Sequence, residues 1–371
     1  MMENKKVVVY GATGYTGKLI MKHLADRGIP FIAAARSKSR LDEQCDLVPE
    51  LANADYSKVE VAHEEDALTK LFTGREVVYN VVGPFMQLGE PVVKAALNAN
   101  CHYLDTTGET DWMFFLRNEY GEKFAAKSLL LAPASAYMWT AGMLAAELAL
   151  ETPGVDSLDI LYFADSATST ASTKSFLRMC TEPQYYLRNN ELEMWPYAQS
   201  YQVKTPDHHR LYNALPWSGG GETVWFEKDD RVTNCSTLVG FKDENMFNGI
   251  LQVLVEFEEK YRSLSYEEQE AVTNEMGGQI TPEEPSRENP DKNRTVLSCI
   301  GRGNAGGVNV VLRGNSPYLQ TGALAAEACN RILSGQLLET GFQPVAKAIG
   351  TRNIVAAWAD LGYIAWEATS F

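Results

Sequence analysis

The 371-residue chain has no CxxC pair and no Cys/His cluster at metal-ligand spacing, so nothing in it reads as a metal centre. Its six cysteines (Cys45, Cys101, Cys180, Cys235, Cys299 and Cys329) are scattered and read as buried, reduced thiols. Positive charge is also scarce. With 33 Lys and Arg against 48 Asp and Glu, the formal net charge is -15, which excludes general nucleic-acid binding and docking on anionic lipid. A substrate with several negative charges would need a local basic pocket. Long apolar runs are missing too. The longest, 141–150, is interrupted by Glu147 and is too short to span a bilayer. The polar start at 1–6 lacks a signal-peptide pattern, so the chain is expected to be cytoplasmic.

What remains is globular material: 45% hydrophobic and 22% charged residues, in a chain long enough for two domains. Val7-Val8-Val9-Tyr10 is a continuous apolar run, as a parallel strand buried on both faces requires. A glycine-rich turn follows, then a helical period over 18–27 that Gly28 stops. Strands are expected at 31–35, 59–62, 77–82, 102–105 and 129–132, with helices at 66–72 and 91–98. This alternation predicts an α/β, Rossmann-type doubly wound parallel sheet over residues 1–135. Beyond it, 136–316 reads as a second, α+β substrate domain. Strand-like runs fall at 158–164, 223–226, 296–300 and 308–312, and helices at 247–261 and 266–276. Pro282, Pro285 and Pro290 mark a mobile loop over 281–294. The C-terminal helices, about 317–371, are expected to pack back on the first domain.

The chemistry starts at Gly11-Ala12-Thr13-Gly14-Tyr15-Thr16-Gly17, directly after the first strand. Gly11 permits the tight turn, Gly14 lets the backbone approach a diphosphate, and Gly17 lets the helix sit close to the strand. The helix N-terminus then offers amides and a partial positive charge to the phosphates. NAD-preferring sites place Asp or Glu at the end of the second strand. This chain has Ala35-Arg36-Ser37-Lys38-Ser39-Arg40 and no carboxylate until Asp42. Arg36 and Ser37 suit a 2′-phosphate, so NADP(H) is expected over NAD(H). Ala62-His63 ends the third strand, beside the expected adenine position.

Three further segments, Asn80-Val81-Val82-Gly83-Pro84-Phe85, Gly89-Glu90-Pro91-Val92-Val93 and His102-Tyr103-Leu104-Asp105-Thr106-Thr107-Gly108-Glu109, follow the glycine turn. Together they resemble the saccharopine dehydrogenase-like family of NAD(P)-dependent oxidoreductases over roughly the first 110 residues. Further on the resemblance thins to Tyr318-Leu319-Gln320-Thr321-Gly322 and 341–350. The small-residue stretch 167–175 is similar to the family's enoyl-reductase-like branch. No Tyr-x-x-x-Lys pair of the short-chain reductase type follows the fourth strand.

Val82, Gly83, Pro84, Phe85 and Thr107 lie where such a sheet brings ligand to the nicotinamide. Asp105 and Glu109 either border the reacting centre there or cap the next helix. Tyr103, Tyr137, Lys174, His208 and His209 are chemically able to deliver a proton beside an arriving hydride, and the first three are the candidate catalytic residues. Aromatics crowd 185–226, with Met179 and Met194, as a large apolar pocket requires.

The expected activity is NADP(H)-dependent reduction of a C=C or C=O bond in an apolar unsaturated carbonyl or ketone, with the C=C preference resting on the family likeness. One alternative is saccharopine- or opine-type reductive imine formation from an amino acid and an oxo acid, whose carboxylates would call on Arg178, Arg188, Arg210 and Arg231. Another is a non-catalytic NADP(H)-binding sensor or scaffold. The expected partner is an apolar small molecule, with neither nucleic acid nor a membrane span, and the sequence is compatible with a homo-oligomer.

Overall fold

A computed structural model describes residues 4–281, 283–286 and 288–371, without the side chain of Cys180. The chain divides into two compact units. The first comprises residues up to Thr107, Asp111–Thr140 and Tyr318–Asp360; the second comprises Gly108–Thr110, Ala141–Pro317 and Leu361–Phe371. The first unit opens with strands β1 (Val7–Tyr10), β2 (Phe31–Ala35), β3 (Tyr56–Glu60), β4 (Val77–Asn80), β5 (His102–Asp105) and β6 (Leu130–Ala132). The second supplies β7 (Val155–Asp165), β8 (Tyr185–Arg188), β9 (Glu191–Met194), β10 (Tyr201–Lys204), β11 (Leu211–Leu215), β12 (Asn234–Phe241), β13 (Arg294–Gly303) and β14 (Gly306–Gly314). The chain returns to the first unit for β15 (Gly341–Phe342) and closes in the second with β16 (Ile364–Ser370).

In the first unit the strand order is β15-β6-β5-β4-β1-β2-β3, parallel throughout, which is the Rossmann-type doubly wound sheet. The order reverses at β1, whose neighbours are β2 and β4, so a crevice opens at the carboxyl end of β1. Every residue of β1, β2, β4 and β6 is buried, which explains why these strands are apolar runs, broken only by Asn80 at the end of β4. The helix after β1, Tyr15–Asp26, turns Leu19, Ile20 and Leu24 inward. It begins three residues before its apolar period does, with Tyr15 and Gly17 already buried in its first turn. Helix Pro317–Leu333 crosses it closely. A Cβ on Gly322 would lie 2.5 Å from Nδ1 of His23, so only glycine fits there. His23 is bonded to the Leu19 carbonyl at 2.8 Å, and burial pulls its pKa down to about 4.

The second unit is a mixed sheet ordered β10-β11-β12-β7-β13-β14-β16, with hairpin β8–β9 joined to β12. β7 and β12 run parallel and the other pairings are antiparallel. The C-terminal segment therefore does not lie wholly on the first domain: Ile364–Ser370 adds an antiparallel strand to β14. Residues 223–226 are not a strand either. They fall in helix Gly221–Phe226, all six residues of which are buried, so a four-residue apolar run could show no period. Pro282 lies outside the described residues; Pro285 and Pro290 lie between helix Tyr266–Ile280 and β13. Cys45, Cys101, Cys235, Cys299 and Cys329 are free thiols in buried positions. Among the described residues no helix is long and apolar enough to cross a membrane, and no group of His, Cys, Asp or Glu could hold a metal ion.

Candidate dinucleotide-binding and active site

The glycine loop is built by close backbone contacts. Gly11 has φ +94°, and a Cβ there would lie 2.8 Å from Cγ2 of Val82 and 2.9 Å from Cγ2 of Val81. Its amide donates to the Ala34 carbonyl at 3.0 Å, which ties the turn to β2. A Cβ on Gly17 would lie 2.5 Å from the Gly11 carbonyl oxygen, so the helix can seat on the loop only without a side chain. Gly14 differs. Its nearest neighbour would be the Gly11 carbonyl oxygen at 3.4 Å, an ordinary contact. The fold does not demand glycine at 14, whereas close approach by a diphosphate does. Gly14 also caps helix Tyr15–Asp26 without any side-chain bond, and no acidic residue occupies the first turn. An N-terminus left this way favours an anion. The donor set fits a diphosphate bridge.

At the end of β2, Arg36 is exposed and Ser37 caps helix Lys38–Asp46 by accepting from the Arg40 amide at 3.3 Å. The first carboxylate, Asp42, is already engaged, with Lys38 at 2.6 Å and Lys58 at 3.1 Å. That carboxylate is therefore not free to accept from the hydroxyls of an unphosphorylated ribose. Tyr10 and His63 form a pair that no motif announces. Their rings stack at 5.9 Å and 7°, and the Tyr10 hydroxyl meets Nδ1 of His63 at 2.7 Å. Burial raises the Tyr10 phenol to about 12, with Arg36 partly offsetting it. Burial, and then the same guanidinium, lowers His63, so it stays neutral. Arg36 is therefore close enough to act on both rings, and the loop after β1, Arg36 and His63 converge. Ala62 beside them is exposed.

Beyond β4, the Val82 amide donates to Oδ1 of Asn80 at 3.0 Å, which sets the course of Gly83-Pro84-Phe85. The Gly83 backbone lies against the Phe85 ring. β5 then delivers Asp105 into a fully buried network. Its carboxylate accepts from the Thr107 and Ala134 amides (3.0 Å each), from Trp112 Nε1 (2.8 Å) and from the Tyr103 hydroxyl (3.0 Å). Desolvation still raises its pKa to about 6. Asp105 is thus neither a helix cap nor a ligand group; it pins the loops after β5 and β6 together. Tyr103 stands in the same network: its hydroxyl is wholly buried, accepts from Asn80, donates to Asp105, and is pushed by burial well above the phenol range. Thr107 is buried in the same turn.

Tyr137 opens helix Tyr137–Leu150 in the first unit, its amide bonded to Thr321 Oγ1 at 2.9 Å. Lys174 lies on helix Thr170–Arg178 in the second unit, half-buried, with its stem along Gly277 and Gly278 of helix Tyr266–Ile280. A Cβ on Gly277 would lie 2.7 Å from Cγ of Lys174. One residue on, the Ser175 hydroxyl donates to Glu109 at 2.6 Å, and Glu109 pairs with Arg178 at 3.3 Å, both ends of that pair fully buried. Glu109 is therefore an internal ion-pair partner. Arg188, Arg210 and Arg231 likewise each meet a carboxylate of this chain. His208 lies against Phe163 and Tyr212, in packing contacts.

A second buried acid escaped the sequence motifs. Glu222 accepts from the Tyr162 hydroxyl at 2.7 Å and from Thr237 at 3.3 Å, and burial raises it to about 7. Folding favours its protonated form. Its contribution is complete below the usual carboxylate range and is lost as pH rises through 7. Glu222→Gln should remove that loss, up to about 3 kcal/mol at 1.36 kcal/mol per unit. Urea unfolding at pH 5 and pH 8 measures it, as the difference between variant and parent. An identical fall with pH in both would exclude Glu222 as the titrating group.

Fold and loop together define a class: a dinucleotide-binding protein of Rossmann type with an appended mixed-sheet unit. Residues 7–128 match the model of the saccharopine dehydrogenase NADP binding domain, so the first unit is an NADP-binding domain of that kind. The chain belongs to the family of unknown function DUF5938, whose model matches residues 140–367. A lipid droplet localized protein of Caenorhabditis elegans is 30% identical over 196 residues, 51% of this chain and 43% of that protein. A trans-acting enoyl reductase of Mycobacterium ulcerans is 36% identical over 115 residues, 30% of this chain and 27% of that one. These matches span less than half the length of either relative. Apo saccharopine dehydrogenase (L-Glu forming) from Saccharomyces cerevisiae shares the fold, with TM-score 0.62 at 11% identity over 98% of this chain and 100% of that chain.

Proposed function

We propose that this protein is an NADP(H)-dependent oxidoreductase that reduces a C=C or C=O bond of an apolar unsaturated carbonyl or ketone. The observation that carries the reading is the Gly14 position, where the fold tolerates a side chain but a diphosphate does not. The enoyl reductase relative and the NADP-binding domain support it. The paired arginines speak against a substrate with several carboxylates, because Arg178, Arg188, Arg210 and Arg231 are each neutralised within the chain.

When bound, the dinucleotide supplies the hydride. The chain's own residues do the rest. The loop amides and helix N-terminus hold the diphosphate, Arg36 and Ser37 hold the 2′-phosphate, and the Tyr10–His63 pair walls the adenine side. Lys174 is the proton donor in this reading. Among the described residues its ammonium has no carboxylate partner, which leaves it available to a substrate oxygen or carbon. Tyr137 is the second candidate.

Lys174→Met should lower kcat by about 100-fold, within the usual range for losing a general acid, and leave the Kd for NADPH unchanged. NADPH oxidation against a panel of enones, ketones and imines measures it. Full activity in the variant would remove Lys174 from the mechanism. Tight NADPH binding with no oxidation by any member of the panel would favour a sensor instead.

A further inference from the structure

We infer that the second unit carries a preformed cleft for a neutral, apolar chain, the apolar part of the substrate. The inference rests on the proposed function for the word substrate and for nothing else. The cleft measures about 240 Å³, far more than a single water needs. Pro183, Met194, Trp195, Pro196 and Tyr197 form its apolar wall.

The wall is fixed from behind. Trp195 packs on Tyr186 at 4.6 Å and on Tyr201 at 5.1 Å, and its amide is tied to the Gln184 carbonyl at 2.8 Å. Tyr197 lies under the guanidinium of Arg262 at 4.6 Å. A cleft whose aromatic walls are already ordered loses little freedom when a ligand enters. Met194 is 63% exposed at the rim, although it is flexible, polarizable and costly to leave in water.

The charges at the rim say what kind of ligand fits. Arg262 bonds Glu258 at 2.8 Å and the Thr181 carbonyl at 3.0 Å, and Glu182 accepts from the Thr181 hydroxyl at 3.2 Å. Arg262 and Glu258 satisfy each other. A carboxylate ligand would meet a neutralised arginine and the second acid, Glu182, in a chain of net charge -15. An ammonium ligand would give up its hydration against the apolar wall for a single rim carboxylate, Glu182, that already accepts from Thr181. A neutral chain avoids both penalties.

The test uses the full chain without dinucleotide and 1-nonanol displacing the neutral dye N-phenyl-1-naphthylamine. Parent protein should bind 1-nonanol at least about tenfold more tightly than nonanoate or nonylammonium, and Met194→Glu, a change at an exposed position, should weaken 1-nonanol about tenfold while NADPH affinity stays put. With NADPH present, the same variant should raise KM for a long-chain enone and leave that for a four-carbon enone unmoved. Equal binding of charged and neutral chains, unchanged binding in the variant, or no binding would overturn the cleft while leaving the reductase reading intact. A KM shift equal for both enones would show that the cleft is not the substrate's seat. Loss of NADPH binding with 1-nonanol binding intact would overturn the reductase reading alone.

Discussion

Gly14→Val should lower NADPH affinity by about 100-fold or more while leaving the thermal midpoint close to that of the parent. The two halves of this expectation come from different measurements on the same loop. A Cβ at 14 would be 3.4 Å from the Gly11 carbonyl oxygen, a contact that ordinary side chains make, so folding is not opposed. If the loop is the phosphate cradle, the same Cβ keeps a diphosphate from approaching the main-chain amides. Loss of those charge-assisted bonds is worth about 2.8 kcal/mol if affinity drops 100-fold. Gly17→Val is the contrasting case. Its Cβ would lie 2.5 Å from the Gly11 carbonyl oxygen, so the helix must shift and the midpoint itself should fall. Titration of NADPH fluorescence and a thermal melt on both variants separate the effects. If Gly14→Val binds as the parent does, the loop is not the phosphate cradle.

Arg36→Glu should reverse the cofactor preference, with NADPH weakened roughly 100-fold and NADH changed by no more than a few-fold. Arg36 follows the last residue of β2, is exposed, and lies close enough to Tyr10 and His63 to act on both rings. A glutamate there repels a 2′-phosphate and gives a ribose hydroxyl an acceptor. Asp42 cannot do that in the parent, because Lys38 and Lys58 hold it. Kd values for both dinucleotides at one ionic strength measure the change, since the contribution of an exposed charge depends on screening. Equal loss for both would mean that Arg36 faces something other than the 2′-phosphate.

The nucleotide-binding half was readable because its signals are local. An unbroken apolar run is what a central parallel strand must be, and Gly17 answers to the backbone of Gly11 and Ala12 within its own loop, although the Val81 and Val82 side chains that demand glycine at 11 arrive from far along the chain. The Tyr10–His63 pair was not readable, since 53 residues separate its members. Asp105 was ambiguous for the same reason. An acid at a strand's end can cap a helix, face a ligand or bind a loop, and only the arrival of the Ala134 amide and the Trp112 indole decides the matter.

In the second unit the strands are short: β8 does not alternate, and β10 alternates in sequence and burial but over four residues only, too few to announce a strand. One local sign is present all the same. Asn189 and Asn190 both adopt positive φ, 51° and 64°, the requirement of a tight hairpin turn that asparagine meets readily. It joins β8 to β9, and β9 leads directly to Trp195 and the cleft.

Isothermal titration of the purified full chain with NADPH and, separately, with NADH bears most directly on the whole account. One NADPH should bind per chain, more tightly than NADH, with the order reversed in Arg36→Glu. Absence of heat for both dinucleotides, in a protein that melts cooperatively, would contradict the account at its root.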